Sequence, residues 1–322
     1  MPAPAQHRTS HRIEVAAPAG VVYGLIADAE RWPLFFAPNV YVEPLDLEGP
    51  EQRLRMWARA GDRITSWITR RTLDPAARRI TFRQEVTSAA VDSMLGVWNV
   101  EQRADGSSLL TLQRQFTAAN GHLAPDRIGD ANIRAHLADL KSLAERWAVL
   151  DELVVTVEDT VRVEGPSELV YGFLYRAGAW PHTVPGVAGV RLAEDVPGIQ
   201  MLHPQDGAGD GAGDGAAVRL CFPHGGLIVY KVTKAPELVS GQAGEWSVEP
   251  DPAGVTVRAR HQVVLNEQDV ARVLGQDAAL ADARRHVRER VGQHSAALLD
   301  LARQHAEDAV RALTPSHLPG WS

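Results

Sequence analysis

The sequence predicts an α+β protein made of one domain used twice, each copy a curved antiparallel sheet wrapped around a long C-terminal helix. Three observations lead there. Val15, Pro18, Val22, Tyr23, Gly24, Trp32 and Pro33 recur without a gap, 148 positions on, as Val163, Pro166, Val170, Tyr171, Gly172, Trp180 and Pro181. Trp98 and Glu101 fall on Trp246 and Glu249 at the same offset. A repeat of domain size means two domains, 1–150 and 151–322, and not a solenoid. After the first helix of each copy, short apolar runs alternate with turn residues, the mark of antiparallel strands. Each copy then closes on a long amphipathic stretch.

In order, residues 1–10 read as a loose tail, and Ile13–Val15 start a short strand. Pro18 opens a helix, where proline suits the first turn, and Val21, Val22, Leu25 and Ile26 form its apolar face. Trp32-Pro33 reads as a turn, because Pro33 disfavours helix at Trp32. From Val40 to about Phe116 short apolar runs, among them Leu54–Trp57, Ile64–Thr72, Ile80–Glu85, Leu95–Gln102 and Leu109–Phe116, predict an antiparallel sheet of about six strands. Asp74-Pro75 and Asp105-Gly106 sit between runs as hairpin turns. Residues 125–149 predict one long helix, with Ile133, Leu137, Leu140, Leu143, Ala144 and Trp147 on its buried face. The second copy predicts a strand at 154–163, a helix at 166–176, strands from 187 to 265 and a helix from 276 to 311. Asp206–Gly215 is a glycine-rich loop without a phosphate-binding pattern, and 315–322 reads as a tail. His136 and His294 occupy the same place on the two long helices.

The net charge of −7 gives no basic footprint for nucleic acid. No apolar run approaches the roughly 20 residues that cross a bilayer, and the N-terminus lacks the apolar core of a signal peptide. One cysteine, Cys221, allows no internal disulfide and no metal cluster. The expectation is a reduced, cytoplasmic protein.

The pattern Val-x-Ala-Pro-x-x-Val-Tyr at 15–23, the Trp32-Pro33 pair after the first helix, and Trp67-x-Thr69-x-Arg71 in a strand resemble the polyketide aromatase/cyclases. These are helix-grip proteins of the START/Bet v 1 superfamily. Two copies in one chain resemble the di-domain members of bacterial type II polyketide synthases. The resemblance covers nearly the whole chain and is more specific in the first copy. It implies an interior cavity that folds a poly-β-ketone held on the phosphopantetheine arm of an acyl carrier protein. It implies aldol closure between the seventh and twelfth carbons, then dehydration to an aromatic ring, among the other synthase components and with no cofactor.

Trp67, Thr69 and Arg71 share a strand face by their spacing of two. A buried Arg71 would hold fixed donors toward a developing oxyanion, and Thr69 would relay a proton or anchor a substrate oxygen. The opposite facing, with Arg70 inside, is the alternative. The resemblance implies that Trp32, Phe36 and Trp98 line the cavity, although aromatic side chains pack cores more often. Asn39 stands where some relatives have Tyr. His136 is a candidate proton carrier or a satisfied core histidine. In the second copy Trp180, His182, Arg219, His224, Tyr230, Trp246 and His261 are the candidates for a different pocket. There, no clear counterpart of Arg71 is evident, with Lys231 or Lys234 the nearest cation. Arg284, Arg285, Arg288 and Arg290 with His286 form a basic patch that suits an acidic carrier protein, or a solvated helix face. The rival to catalysis is a hydrophobic ligand carrier, since a fold alone does not fix function. A third reading makes one domain catalytic and the other structural.

Overall fold

The computed structural model describes residues 6–86, 91–118, 130–184, 189–204 and 216–313. The chain divides into two compact units, Met1–Asp151 and Glu152–Ser322. The first contains β1 (Gln6–Val15), α1 (Ala19–Ala27), α2 (Trp32–Phe35), β2 (Asn39–Glu48), β3 (Glu51–Ala60), β4 (Arg63–Asp74), β5 (Arg79–Val86), β6 (Val91–Gln102), β7 (Ser108–Ala118) and α3 (Asp130–Glu145). A single turn, α4 (Leu150–Leu153), spans the boundary. The second contains β8 (Val154–Val163), α5 (Ser167–Tyr175), α6 (Trp180–Thr183), β9 (Val190–Val196), β10 (Ile199–Pro204), β11 (Ala217–Phe222), β12 (Leu227–Val232), β13 (Val239–Asp251), β14 (Gly254–Leu265), α7 (Val270–Leu274) and α8 (Leu280–Leu313).

Each unit holds one antiparallel sheet of seven strands, in the orders β1-β7-β6-β5-β4-β3-β2 and β8-β14-β13-β12-β11-β10-β9. The strands follow one another as a meander, and the first strand of each unit returns to pair with the last. Six of the seven strands of the first unit lie between Asn39 and Ala118, and the seventh, β1, is the short strand predicted at Ile13–Val15, extended back to Gln6. Residues 6–10, expected as a tail, pair with 113–117. Their side chains alternate between exposed and half-buried, so no apolar run marks them in the sequence.

The long helices pack across one face of each sheet. Ile133, Leu137, Leu140 and Ala144 of α3 join Ile80, Trp98, Val100, Leu110 and Leu112 of the sheet in one core. Leu298, Leu299, Ala302 and Ala306 of α8 do the same in the second unit with Trp246, Val257 and Ala259. Each fully buried aliphatic side chain contributes about 1.5–3 kcal/mol. The helix predicted over 125–149 ends at Glu145 and continues as a 3-10 turn at 147–149. Trp147, placed on the buried face by spacing, is 48% exposed, because the 3-10 turn breaks the helical period. The last helix begins later than predicted and follows a separate α7. The loop at 206–215, the tail at 315–322 and residues 125–129 lie outside the described residues. Trp32 is helical (φ −57°, ψ −37°), because Pro33 occupies the opening turn of α2, where its missing N–H costs nothing.

One device recurs in both sheets. A Cβ on Gly96 would lie 2.5 Å from Phe82 Cζ, and one on Gly244 would lie 2.7 Å from Tyr230 Cε1. Glycine in β6 and β13 lets an aromatic ring of the neighbouring strand lie flat across the backbone.

Candidate active site

The last carbonyls of a helix have no partner within it and carry its negative end. In the first unit Arg71 of β4 supplies that partner. Its Nη2 donates to the carbonyls of Ile26 (3.0 Å) and Ala27 (2.8 Å) at the end of α1. The guanidinium lies 5.5 Å from the centre of the Trp32 ring, within range of a cation–π contact. Arg71 is 4% exposed. Burial lowers its pKa to about 10, with Tyr23 and Asp28 acting the other way, so it is charged at neutral pH. Among the described residues its Nε and Nη1 have no hydrogen-bond partner. Arg70, next along the strand, points outward and donates to Glu85 at 2.8 Å. The facing of Trp67, Thr69 and Arg71 is therefore the one the spacing implies.

The second unit repeats this construction 148 positions on. Arg219 of β11 donates from Nη2 to Leu174 O (2.5 Å) and from Nη1 to Tyr175 O (3.3 Å), at the end of α5. Nη1 also donates to Gln200 Oε1 at 2.9 Å. The guanidinium carbon lies 5.0 Å from the Trp180 ring centre and 5.6 Å from that of Trp246. Burial lowers its pKa to about 10 as well, against the pull of Cys221, Tyr171, Glu194 and Tyr175. Arg219 is thus the counterpart of Arg71, and the expectation of Lys231 or Lys234 in that place is corrected. Lys231 follows Tyr230 on β12, and successive strand residues face opposite ways. Lys234 lies beyond the end of that strand. The signal for Arg219 was the repeat offset itself. It was hidden because Ala217 stands where the first copy has Thr69, and Gly215 where it has Trp67.

Around Arg71 the structure gathers Trp32, Phe36, Trp98 and His136. His136 on α3 lies with its ring centre 4.4 Å from Phe36, 5.8 Å from Trp32 and 6.2 Å from Trp98. Burial in this aromatic setting pushes its pKa down to about 4, so it is neutral at pH 7. Thr69 is buried and donates its hydroxyl proton to Arg83 O (3.1 Å), which leaves its oxygen as an acceptor. Trp67 is half-buried and packs with Trp32 against Ala29, Val42, Leu54 and Met56. Asn39 is buried at the start of β2. Tyr23, the last residue of the pattern at 15–23, has a buried hydroxyl without a hydrogen-bond partner among the described residues.

The second unit encloses a cavity lined by Trp180, Ala217, Arg219, Tyr230, Trp246 and His261, with His294 at the same wall. Arg219 and Tyr230 are opposite one another in register on β11 and β12. Tyr230 stacks on Trp246 at 4.9 Å between ring centres. Its Oη lies 2.7 Å from His261 Nδ1, and His261 Nε2 lies 3.0 Å from Ser295 Oγ on α8. Gln242 Nε2 donates to Tyr230 Oη at 3.4 Å. Tyr230, His261 and Ser295 form a buried chain of proton-carrying groups, of which Ser295 and Gln242 were not anticipated. Burial lowers the His261 pKa to about 4, helped by His294 and opposed by Asp159. Burial raises that of Tyr230, with Gln242 opposing.

His182 and His224 do not belong to this site. Both are exposed and neither lines the cavity. His182 sits on the outer side of the single turn α6, and His224 in the 3-10 turn joining β11 to β12. Burial raises the Cys221 thiol to about 11, so it is not a nucleophile at neutral pH. No group of three or more His, Cys, Asp or Glu able to hold a metal ion occurs among the described residues.

A buried, charged guanidinium under a tryptophan, with donors left over, suits an enolate or alkoxide oxygen. Residues 6–145 match the family described as polyketide cyclase/dehydrase and lipid transport. The chain is 37% identical over 97% of its length to the granaticin polyketide synthase bifunctional cyclase/dehydratase of Streptomyces violaceoruber, covering 97% of that protein. It is 38% identical over 93% of its length to the actinorhodin polyketide synthase bifunctional cyclase/dehydratase of Streptomyces coelicolor, covering 96% of it. The crystal structure of the di-domain ARO/CYC BexL from the BE-7585A pathway superposes with a TM-score of 0.80 at 38% identity. That match covers 94% of this chain and 99% of that one. The di-domain ARO/CYC StfQ from the steffimycin pathway gives 0.82 at 29% identity over the same shares. Two helix-grip domains in tandem, each with a guanidinium sealed against the end of its first helix, place the chain in the family of di-domain polyketide cyclase/dehydratases.

Proposed function

We propose that the chain closes the first ring of a poly-β-ketone held on an acyl carrier protein, joining the seventh and twelfth carbons, and then removes water to make that ring aromatic. The observation that carries the reading is the pair of buried guanidinia, each with donors not spent on the protein. In the aldol step a carbon between two carbonyls gives a proton to neutral His136, and its electron pair attacks a distant carbonyl carbon. The oxygen of that carbonyl becomes an alkoxide, which Arg71 receives on Nε or Nη1 before His136 returns the proton to it. Removing one such donor typically costs on the order of a hundredfold or more in rate. Trp32, Phe36, Trp98 and neutral His136 offer flat faces that hold the chain bent.

Dehydration needs a proton taken from carbon and one given to the leaving hydroxyl. The Tyr230–His261 pair supports both halves. The α C–H bond breaks, its proton moves to Tyr230 Oη, and the phenolic proton passes to His261 Nδ1. The electron pair rests on the enolate oxygen beside Arg219. On collapse the carbon–carbon double bond forms and the carbon–oxygen bond breaks. The hydroxyl then leaves as water with the proton of Tyr230, which His261 replaces.

A ligand carrier is the rival, and the matching family includes lipid transport. A carrier gains nothing from burying a charge, which costs several kcal/mol even when its donors are satisfied. For carrier-protein docking the basic patch offers less than its sequence suggests. Arg284 donates to the carbonyls of Glu152 and Val154, and Arg285 pairs with Asp282 at 2.6 Å. The test is reconstitution with a minimal synthase, its carrier protein and a mixture of acetate labelled at its carboxyl carbon and acetate labelled at its methyl carbon, with and without a ketoreductase. Carbon–carbon couplings in the product between the seventh and twelfth positions support the reading. A different first bond, or unchanged shunt products, contradicts it.

A further inference from the structure

Arg71 and Arg219 are anchored differently. Arg71 is held at one nitrogen, by two carbonyls. Arg219 is held at two nitrogens, and the second leads to a carboxylate. Gln200 of β10 is 1% exposed and opposite Arg219 in register. Its Oε1 accepts from Arg219 Nη1, while its Nε2 donates to Glu194 Oε2 (3.0 Å) and to Tyr175 O (3.2 Å). Reversing the amide would point its oxygen at a carboxylate and a carbonyl, so the network fixes its orientation. Glu194 of β9 also accepts from Tyr175 Oη and from the Gly198 N–H at 2.7 Å. Burial works against the charge on Glu194, but these donors and Arg219 prevail and hold its carboxyl below the usual range. The first unit lacks this arrangement. At the repeat offset Glu194 corresponds to Asp46, which is turned to Arg53 at 3.6 Å.

We infer that Glu194, acting through Gln200, is a positioning residue for Arg219, locking the guanidinium so that its unpartnered Nε–H faces the substrate oxygen in the second cavity. The inference rests on the cyclase/dehydratase reading for the reaction it serves, although the anchoring can be measured without that reaction. A preorganised donor stabilises a developing oxyanion without reorganising during the step. A freely rotating guanidinium loses that advantage, and a misplacement of about 1 Å can cost on the order of a hundredfold.

The test uses the full chain labelled with nitrogen-15, with Arg219→Lys to assign the resonance. The Arg219 Nε–H is expected as a slowly exchanging signal with restricted rotation of its terminal nitrogens. Glu194→Gln leaves three donors facing one acceptor oxygen and should speed that rotation and exchange while leaving the Arg71 signal unchanged. In the reconstituted synthase the same variant should lower aromatised product on the order of tenfold. The double variant Glu194→Gln/Gln200→Glu restores a carboxylate next to Arg219 and should recover both readouts in part. If Glu194→Gln unfolds, as judged by thermal melting, Gln200→Leu carries the same two expectations. Wild-type mobility or wild-type turnover in the folded variant overturns the inference. So does lost turnover with an unchanged Arg219 signal. If wild type alters no product while the Arg219 signals behave as expected, the cyclase reading falls and the anchoring stands.

Discussion

Both buried arginines donate to carbonyl oxygens and face an indole, and among the described residues neither is in direct contact with a carboxylate. That arrangement makes them demanding positions. Lysine carries one compact ammonium and cannot hold the helix end while also presenting a donor to the cavity. The buried histidines make a separate prediction. His136 and His261 titrate near 4 in the native protein and near 6.5 when unfolded. Between those values the unfolded state binds more protons, so stability rises with pH through the window. Lowering the pH from 7 to 4 should therefore remove on the order of a few kcal/mol per buried histidine. Below about 4 the native histidines also protonate and their contribution levels off. Denaturant unfolding at several pH values, with His136→Phe beside wild type, checks this. The variant should lose part of the slope between 4 and 6.5, and an unchanged slope would show that His136 is not the buried neutral group described.

At the scale of elements, the strand pair β12–β13 holds the second site in place. Gly244 lets Tyr230 lie across the sheet, and an added methyl would also meet Arg260 O at 2.5 Å. Backbone cannot give way as a flexible side chain can, so Gly244→Ala should cost about 1–3 kcal/mol and shift Tyr230 away from His261. Thermal unfolding measures the first effect. The ratio of aromatised product to the hydrated, cyclised precursor measures the second. Tyr230→Phe removes the phenolic proton with almost no change of shape, and should lower that ratio on the order of a hundredfold. A folded Tyr230→Phe with the wild-type ratio would remove Tyr230 from the reaction. Most elements were legible in the sequence, because apolar spacing and turn residues mark strands and helices that pack against a core. The edge segment 6–10 was not legible, since its polar side chains carry no apolar pattern and its pairing is made by backbone. The Tyr230–His261–Ser295 chain was not legible either. It joins β12, β14 and α8 through contacts between residues 31 and 34 positions apart, which no local spacing reveals.

At the scale of the whole chain, the repeat of 148 positions preserves the sheet order, the tryptophan after the first helix and the arginine that seals that helix. The two tryptophans beside it recur as well, Trp32 and Trp98 as Trp180 and Trp246, but the other groups around it differ. The first unit adds Phe36 and His136. The second adds the Glu194–Gln200 anchor and the proton-carrying chain. Arg71 could be found from its own strand, because Trp67 and Thr69 flank it at strand spacing. Arg219 required trust in the offset through a stretch where the neighbouring side chains had changed. The histidines His182 and His224 show the opposite error, since residue type alone suggested chemistry for side chains that the fold leaves in solvent.

The central claim is that each unit's buried guanidinium acts on the polyketide. Product profiling of the reconstituted synthase with wild type, Arg71→Ala and Arg219→Ala tests it most directly, with melting curves to confirm that each variant folds. The account predicts that Arg71→Ala returns the shunt mixture obtained without the protein, and that Arg219→Ala yields first-ring closure with the aromatised product reduced on the order of a hundredfold. Folded variants that both give the wild-type product at the wild-type rate would contradict it, and would leave the two arginines as caps of their helices.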